Sequence, residues 1–238
     1  MPRRSEFSSR EERRQHILQV TRELIQRWGY KKTTIDDIAR YANVAKGTIY
    51  LHWKTREELF EDLIIREWIR LMKEIRDHLS ENPEVGTLGN FIKIAIQLML
   101  KEPLMVALMT GDSETLGNIS HSPAGETLMR IRIKHAYTFM QIQREQGLIR
   151  SDQTIETQFK MLAAIGLGFF TLDQYMPEPL HFLPDELAEQ FAETIERTFA
   201  PPEPPPPQAI QEVTRQYLQL AQELIDEVEQ WYYKEHET

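Results

Sequence analysis

Cysteine is absent from the 238 residues. Disulfides, thiolate zinc sites and cysteine nucleophiles are thereby excluded, and a reducing cytoplasm is the expected home of the chain. Long apolar runs are absent too. The longest weakly polar stretch, MLAAIGLGFFTL at 161–172, is twelve residues, against the roughly 20 that a membrane-spanning helix needs, so a buried helix and no membrane contact are expected. The opening MPRRSEFSSREERR lacks the apolar segment of a secretory signal. No glycine-rich phosphate loop occurs. Seven histidines, at 16, 52, 78, 121, 135, 181 and 236, have no i,i+4 pairing. Neither a metal site nor a nucleophile–base pair is visible, so the expectation is a non-enzyme without metal or cofactor.

Positive charge is scarce overall, with a net charge of -9, but it is unevenly distributed. Residues 1–54 carry 12 Lys and Arg against 6 Asp and Glu, leaving 16 against 31 of the totals of 28 and 37 for residues 55–238. A basic head on an acidic body is the electrostatic footprint of a polyanion partner, because phosphates neutralised by the head release condensed counterions.

Apolar residues recur at helical spacing throughout, and no alternating strand pattern or internal repeat is present. The fold class is therefore all-α. Ile17, Leu18, Thr21, Leu24, Ile25 and Trp28 form one amphipathic face, which Gly29 ends. Ile35, Ile38, Ala39 and Ala42 form a shorter one, opened by Thr34 with Asp37 in a capping-box pattern. A third segment spans Ala45 to Trp53, and a longer helix spans 55–80. The body continues with helices before Pro103, over 104–109, between Pro123 and Gly147, over 153–175 and over 184–199. Residues 1–54 thus read as a helical head and 55–200 as a helical body. Residues 201–207 read as a Pro-rich linker of polyproline character, and 208–238 as an amphipathic helix. The last helix lines up Ile210, Val213, Tyr217, Leu220, Leu224, Val228 and Trp231, and must dock on its own body or on a partner subunit.

Two short helices joined by a tight turn, the second small and polar, make a helix-turn-helix. Its second helix can enter a major groove if nothing bulky blocks the approach, which Gly47 satisfies despite costing about 1 kcal/mol within a helix. Lys46 can donate to a guanine edge or a phosphate, and Thr48 can meet a base edge. Tyr50, His52 and Lys54 are donors at the end of the helix, where groove-wall phosphates would lie. Thr33 and Thr34, at the start of the preceding helix, offer hydroxyls and a helix N-terminus to a further phosphate.

This stretch resembles the head of the TetR family of bacterial transcriptional regulators. The likeness rests on Thr33-Thr34, Ile38-Ala39, Gly47, Ile49-Tyr50, His52-Trp53-Lys54 and Glu57-Glu58-Leu59. It covers about residues 10–65; in the body only the size, the helical content and REQGLIRSD at 144–152 match. The resemblance implies DNA binding for the head, 1–54, and ligand binding with dimerisation for the body, 55–200. Two positions depart from the pattern. Asn43 stands where the family usually has Gly, and Ala45 where it has Ser or Thr. Asn tolerates left-handed backbone, whereas Ala45 gives up a capping hydroxyl worth about 1 kcal/mol and a phosphate contact.

One head reads too few bases to be selective, so a homodimer on a palindromic double-stranded operator is expected, with recognition helices about 34 Å or a multiple apart. Phe159, Leu162, Ala163, Gly166 and Phe170 form the candidate dimer stripe, and the resemblance implies that this helix and the next build a four-helix bundle. It also implies a small-molecule effector inside the body that releases DNA. Phe91, Met99, Met105, Met109, Tyr137 and Met140 are the side chains expected around an apolar or aromatic ligand. The reading is a ligand-responsive transcriptional regulator of the repressor kind. Its rival is a dimeric ligand-binding or adaptor protein that acts through other proteins.

Overall fold

The computed structural model describes residues 9–110 and 122–236, and among them every regular element is helical. Ser9 caps α1 (Arg10–Trp28) by accepting from the Glu12 N–H, and Gly29, at φ 79°, ends it. Such a backbone favours glycine because a Cβ would crowd the carbonyl. Thr34 opens α2 (Ile35–Tyr41) with the expected reciprocal capping box to Asp37. At the other end of α2 the Val44 N–H reaches the Ala39 carbonyl at 3.0 Å and the Asn43 N–H reaches Arg40 at 3.3 Å, with Asn43 at φ 53°. These two bonds make a Schellman turn with asparagine in the left-handed place usually taken by glycine.

α3 (Lys46–Tyr50) is shorter than the Ala45–Trp53 segment expected. Trp53 is drawn into the core, where its indole N–H donates to Asp62 at 2.8 Å, and the chain tightens into turn bonds from Ile49 onward. Five residues cannot hold a helix by propensity. Ile49, fully buried, anchors α3, and burying such a side chain is worth about 2 kcal/mol.

α4 (Arg56–Glu81), capped by Thr55, joins head to body. The body adds α5 (Leu88–Met99), α6 (Pro103–Thr110), α7 (Pro123–Glu145), α8 (Ile155–Thr171), α9 (Pro184–Phe199) and α10 (Pro207–His236). α9 lies against α5 at close quarters: a Cβ on Gly89 would stand 2.6 Å from the Glu196 carboxylate. The linker stops at Pro206, because Pro207 begins α10. Proline fits a first helical turn, where its missing N–H has no intrahelical role.

α10 docks on its own body, along α4, α7 and the short turn Pro83–Val85. Val213, Tyr217, Leu220, Leu224 and Val228 are buried as the pattern predicts. Its crossing is close enough that a Cβ on Gly86 would collide with Thr214 Oγ1 and lie 2.8 Å from the Ile210 carbonyl.

α8 corrects the expectation of a buried helix. It is strongly apolar, yet only Gln158 within it is buried, and Leu167 is 56% exposed. The apolar surface continues through Leu172, Tyr175, Leu180 and Leu183, all exposed. Among the described residues no helix is long and apolar enough to cross a membrane.

Candidate nucleic-acid interface

The presented surface of the head is the five-residue helix α3. Lys46, Gly47 and Tyr50 are exposed, Tyr50 to 44%, and Thr48 is half-buried. A Cβ on Gly47 would meet nothing within 4 Å, so the helix is slim on its outer side and the glycine is not required by packing. Ala45 is the N-cap and makes no side-chain bond, leaving the first N–H groups of α3 without the hydroxyl that usually serves them.

Lys46 is not free in the unbound protein. Its ammonium lies 3.0 Å from the Asp36 carboxylate, and that hydrogen bond raises its pKa. Both groups are exposed, and water screens a pair of this kind, so an anion can displace Asp36. Lys54 has its backbone N–H held by Glu58 at 2.7 Å while its side chain is exposed. His52 is half-buried beside Trp53. Its pKa is lowered by burial first, then by the charges of Arg10, Arg14 and Arg13. The imidazole is therefore neutral near pH 7, ready to gain a proton when an anion arrives.

The expected threonine contacts need correction. Thr33 is fully buried and its hydroxyl donates to the Gly29 carbonyl at 2.9 Å, while Arg56 holds the Thr33 carbonyl at 3.1 Å. Thr34 is exposed, but its hydroxyl donates to Asp37 at 2.6 Å and accepts the Asp37 N–H at 3.1 Å. The carboxylate of the capping box already occupies the start of α2, where a phosphate would be repelled. Thr33 is thus withdrawn from the surface, while the exposed Thr34 spends its hydroxyl on capping α2. Arg10, which the motif reading missed, donates to the Leu51 carbonyl at 3.2 Å and so stands beside the end of α3. Only the coarse charge of the N-terminal run hinted at it.

Beneath α3 lies a buried polar knot. Asp62, fully buried, accepts from Arg14 at 2.7 Å, Arg66 at 2.7 Å and the Trp53 indole at 2.8 Å. Burial opposes the charge of Arg66 most strongly, but Asp62 and Tyr232 together outweigh it and hold the guanidinium protonated. A buried carboxylate is tolerable because every neighbour donates to it.

The body encloses a half-open cavity of about 540 Å³, within the range of small-molecule sites. Phe91, Met99, Met105 and Met140 line it as expected. The side chain of Met109 lies outside the described residues. Tyr137 lies outside the cavity, with its hydroxyl on Glu156 at 3.0 Å and its ring against Phe159. The residues of the expected dimer stripe, Phe159, Leu162, Ala163, Gly166 and Phe170, all line this cavity. The same periodicity serves a cavity wall as well as a helix seam, and the outward surface left over is the one running from Leu167 to Leu183. Arg132 and His135 bring charge and polarity to the lining. Burial lowers the pKa of Arg132 to about 10, and His135 Nε2 lies 3.0 Å from Glu227.

Residues 17–63 match the family described as bacterial regulatory proteins, tetR family. The HTH-type transcriptional regulator YhgD of Bacillus subtilis is 38% identical over 73 residues, which are 31% of this chain and 36% of the relative. The chain thus spans little more than a third of that curated relative's length. The HTH-type transcriptional repressor BepR of Brucella suis is 25% identical over 169 residues, 66% of this chain and 78% of the relative. Among solved structures, NalD, the secondary repressor of the MexAB-OprM multidrug efflux pump in Pseudomonas aeruginosa, shares the fold. Its TM-score is 0.54 at 23% identity, covering 80% of this chain and 96% of that one. The matched segment falls on the helix-turn-helix, so residues 17–63 carry the head of the bacterial regulatory proteins of the tetR family, and the body shares the fold of NalD.

Proposed function

We propose that this protein is a transcriptional repressor that binds a palindromic operator as a homodimer and releases it when a small apolar or aromatic molecule enters the body. The observation that carries the reading is α3 itself: a slim, outward helix bearing Lys46, Thr48 and Tyr50, with open space beside Gly47. In this reading Lys46 and Thr48 meet base edges, while Tyr50, His52 and Lys54 hold phosphates on the groove wall. DNA as partner makes the cytoplasm the place of action. Relatives named as repressors support the sign of regulation.

A second copy is the natural cover for the exposed apolar surface from Leu167 to Leu183. A patch of that kind on a lone subunit is an interface in waiting. The cavity supplies the control, since an effector that binds one head spacing better than another shifts DNA affinity. The C-terminal helix, one surface an adaptor could have used, is packed on its own body.

Selection of bound duplexes from a random pool tests the reading. The wild type is expected to enrich an inverted repeat with half-sites one helical turn or a multiple apart. Lys46→Ala or Thr48→Ala should change the enriched sequence, whereas Tyr50→Ala or Lys54→Ala should weaken every duplex alike. Enrichment of a single unrepeated site, or of nothing, contradicts it.

A further inference from the structure

α10 touches both ends of the molecule. Tyr217, Leu220, Ala221 and Leu224 are part of the cavity wall. Eight residues on from Leu224, about 12 Å along a helix, Tyr232 is buried in the polar knot of the head. Its hydroxyl accepts from Arg14 at 2.5 Å. The Arg14 and Arg66 guanidiniums stand 5.7 and 5.8 Å from its ring centroid. Arg14 belongs to α1 and Arg66 to α4, and the Asp62 between them also holds Trp53, the residue between His52 and Lys54.

The helix between these ends is stiff and tethered. No Gly or Pro interrupts residues 208–236. It runs antiparallel to α4: Arg76 meets Gln222 at 2.6 Å, Lys73 meets Glu229 at 2.7 Å, and Asp62 and Arg66 meet Tyr232. At its start, Thr214 donates to the Pro83 carbonyl at 2.8 Å. A displacement at the cavity wall therefore arrives at the head as a displacement of Tyr232, because a continuous helix does not absorb it.

We propose that α10 is a strut that carries the state of the cavity to the DNA-binding head, with Tyr232 as the residue that positions α1 against α4. An occupant that pushes Leu220, Ala221 and Leu224 outward shifts Tyr232 along α4, loosens the Arg14–Asp62–Arg66 knot and frees Trp53, so the end of α3 loses its fixed placement. Tyr232 touches no DNA in this account. The proposal rests on the ligand-controlled reading above, and the experiment separates the two.

The full-length wild type, Tyr232→Ala and Tyr232→Phe are titrated with a duplex selected by the wild type, with and without N-phenyl-1-naphthylamine, an apolar dye whose fluorescence reports its occupancy of the body. Amide exchange over residues 10–28 and 53–66 is followed in parallel. In the wild type the dye is expected to weaken duplex binding about tenfold, an ordinary size for coupling between sites, and to speed exchange in both segments. Tyr232→Ala should bind the dye as the wild type does, show fast exchange in those segments from the start, and change its duplex affinity less than twofold on adding dye. Tyr232→Phe keeps the ring and loses only the hydroxyl bond, so it guards against misfolding, and its coupling should fall between the two. A Tyr232→Ala protein with wild-type exchange, or with the full tenfold response, overturns the strut while leaving ligand control standing. A wild type that takes up the dye without any change in duplex affinity or exchange overturns ligand control and the strut with it.

Discussion

At the scale of single residues, two positions test the proposed role of α3 on DNA. Ala45 caps α3 without a side-chain bond, so Ala45→Ser should supply the missing acceptor. The substitution is expected to stabilise the protein by about 1 kcal/mol and to tighten duplex binding; thermal unfolding and a titration check both, and an unchanged midpoint contradicts the capping argument. His52 sets a pH dependence. Burial and the arginines of α1 lower its pKa in the free protein, so it is neutral above about 6.5. A phosphate beside it raises that pKa, so binding takes up a proton and affinity rises as pH falls from 7.5 to 6. For folding the sign is opposite. A histidine with a depressed folded pKa contributes nothing above its unfolded value, and it costs stability as pH falls below about 6.5, because the unfolded chain binds the proton first. His52→Gln should flatten both profiles; identical slopes in the variant rule the histidine out.

At the scale of elements, α10 is held by closeness at one end and polarity at the other. Gly86 leaves no room for a Cβ beneath Thr214 and Ile210. Gly86→Ala should lift the start of α10, cost about 1–3 kcal/mol through overpacking, and be visible as a lowered unfolding midpoint; full stability would mean that α10 adjusts freely. The helices were largely legible in the sequence because caps and period agree: Ser9, Thr34, Thr55, Thr87, Ser122 and Thr154 each accept an N–H at the start of a helix. α3 was overestimated because its end is set by the burial of Trp53 against Asp62, a partner nine residues on that no local pattern reveals. The threonines illustrate the same limit. Thr33 and Thr34 are in their expected places, but what their hydroxyls bond depends on Gly29 and Asp37 in three dimensions. The stripe on α8 was legible as a periodicity, but its facing was not, since one apolar face can line a cavity or meet a partner.

At the scale of the whole molecule, the separation of charge is the organising fact. Twelve basic residues are concentrated in the first 54 positions of a chain whose net charge is -9. The acidic remainder repels a polyanion from everything except the head, which orients encounter as well as favouring it. The cavity and the exposed surface from Leu167 to Leu183 were only partly legible, because a void and an uncovered face are properties of packing among distant helices. The salt dependence with which the purified wild type binds duplex DNA decides whether the head acts as a polyanion-binding surface. The account predicts clear binding at low ionic strength and a linear fall of log affinity with log salt, the slope becoming shallower by about one on Lys54→Ala. Failure to bind any duplex at low ionic strength, or a slope indifferent to Lys54, would contradict it.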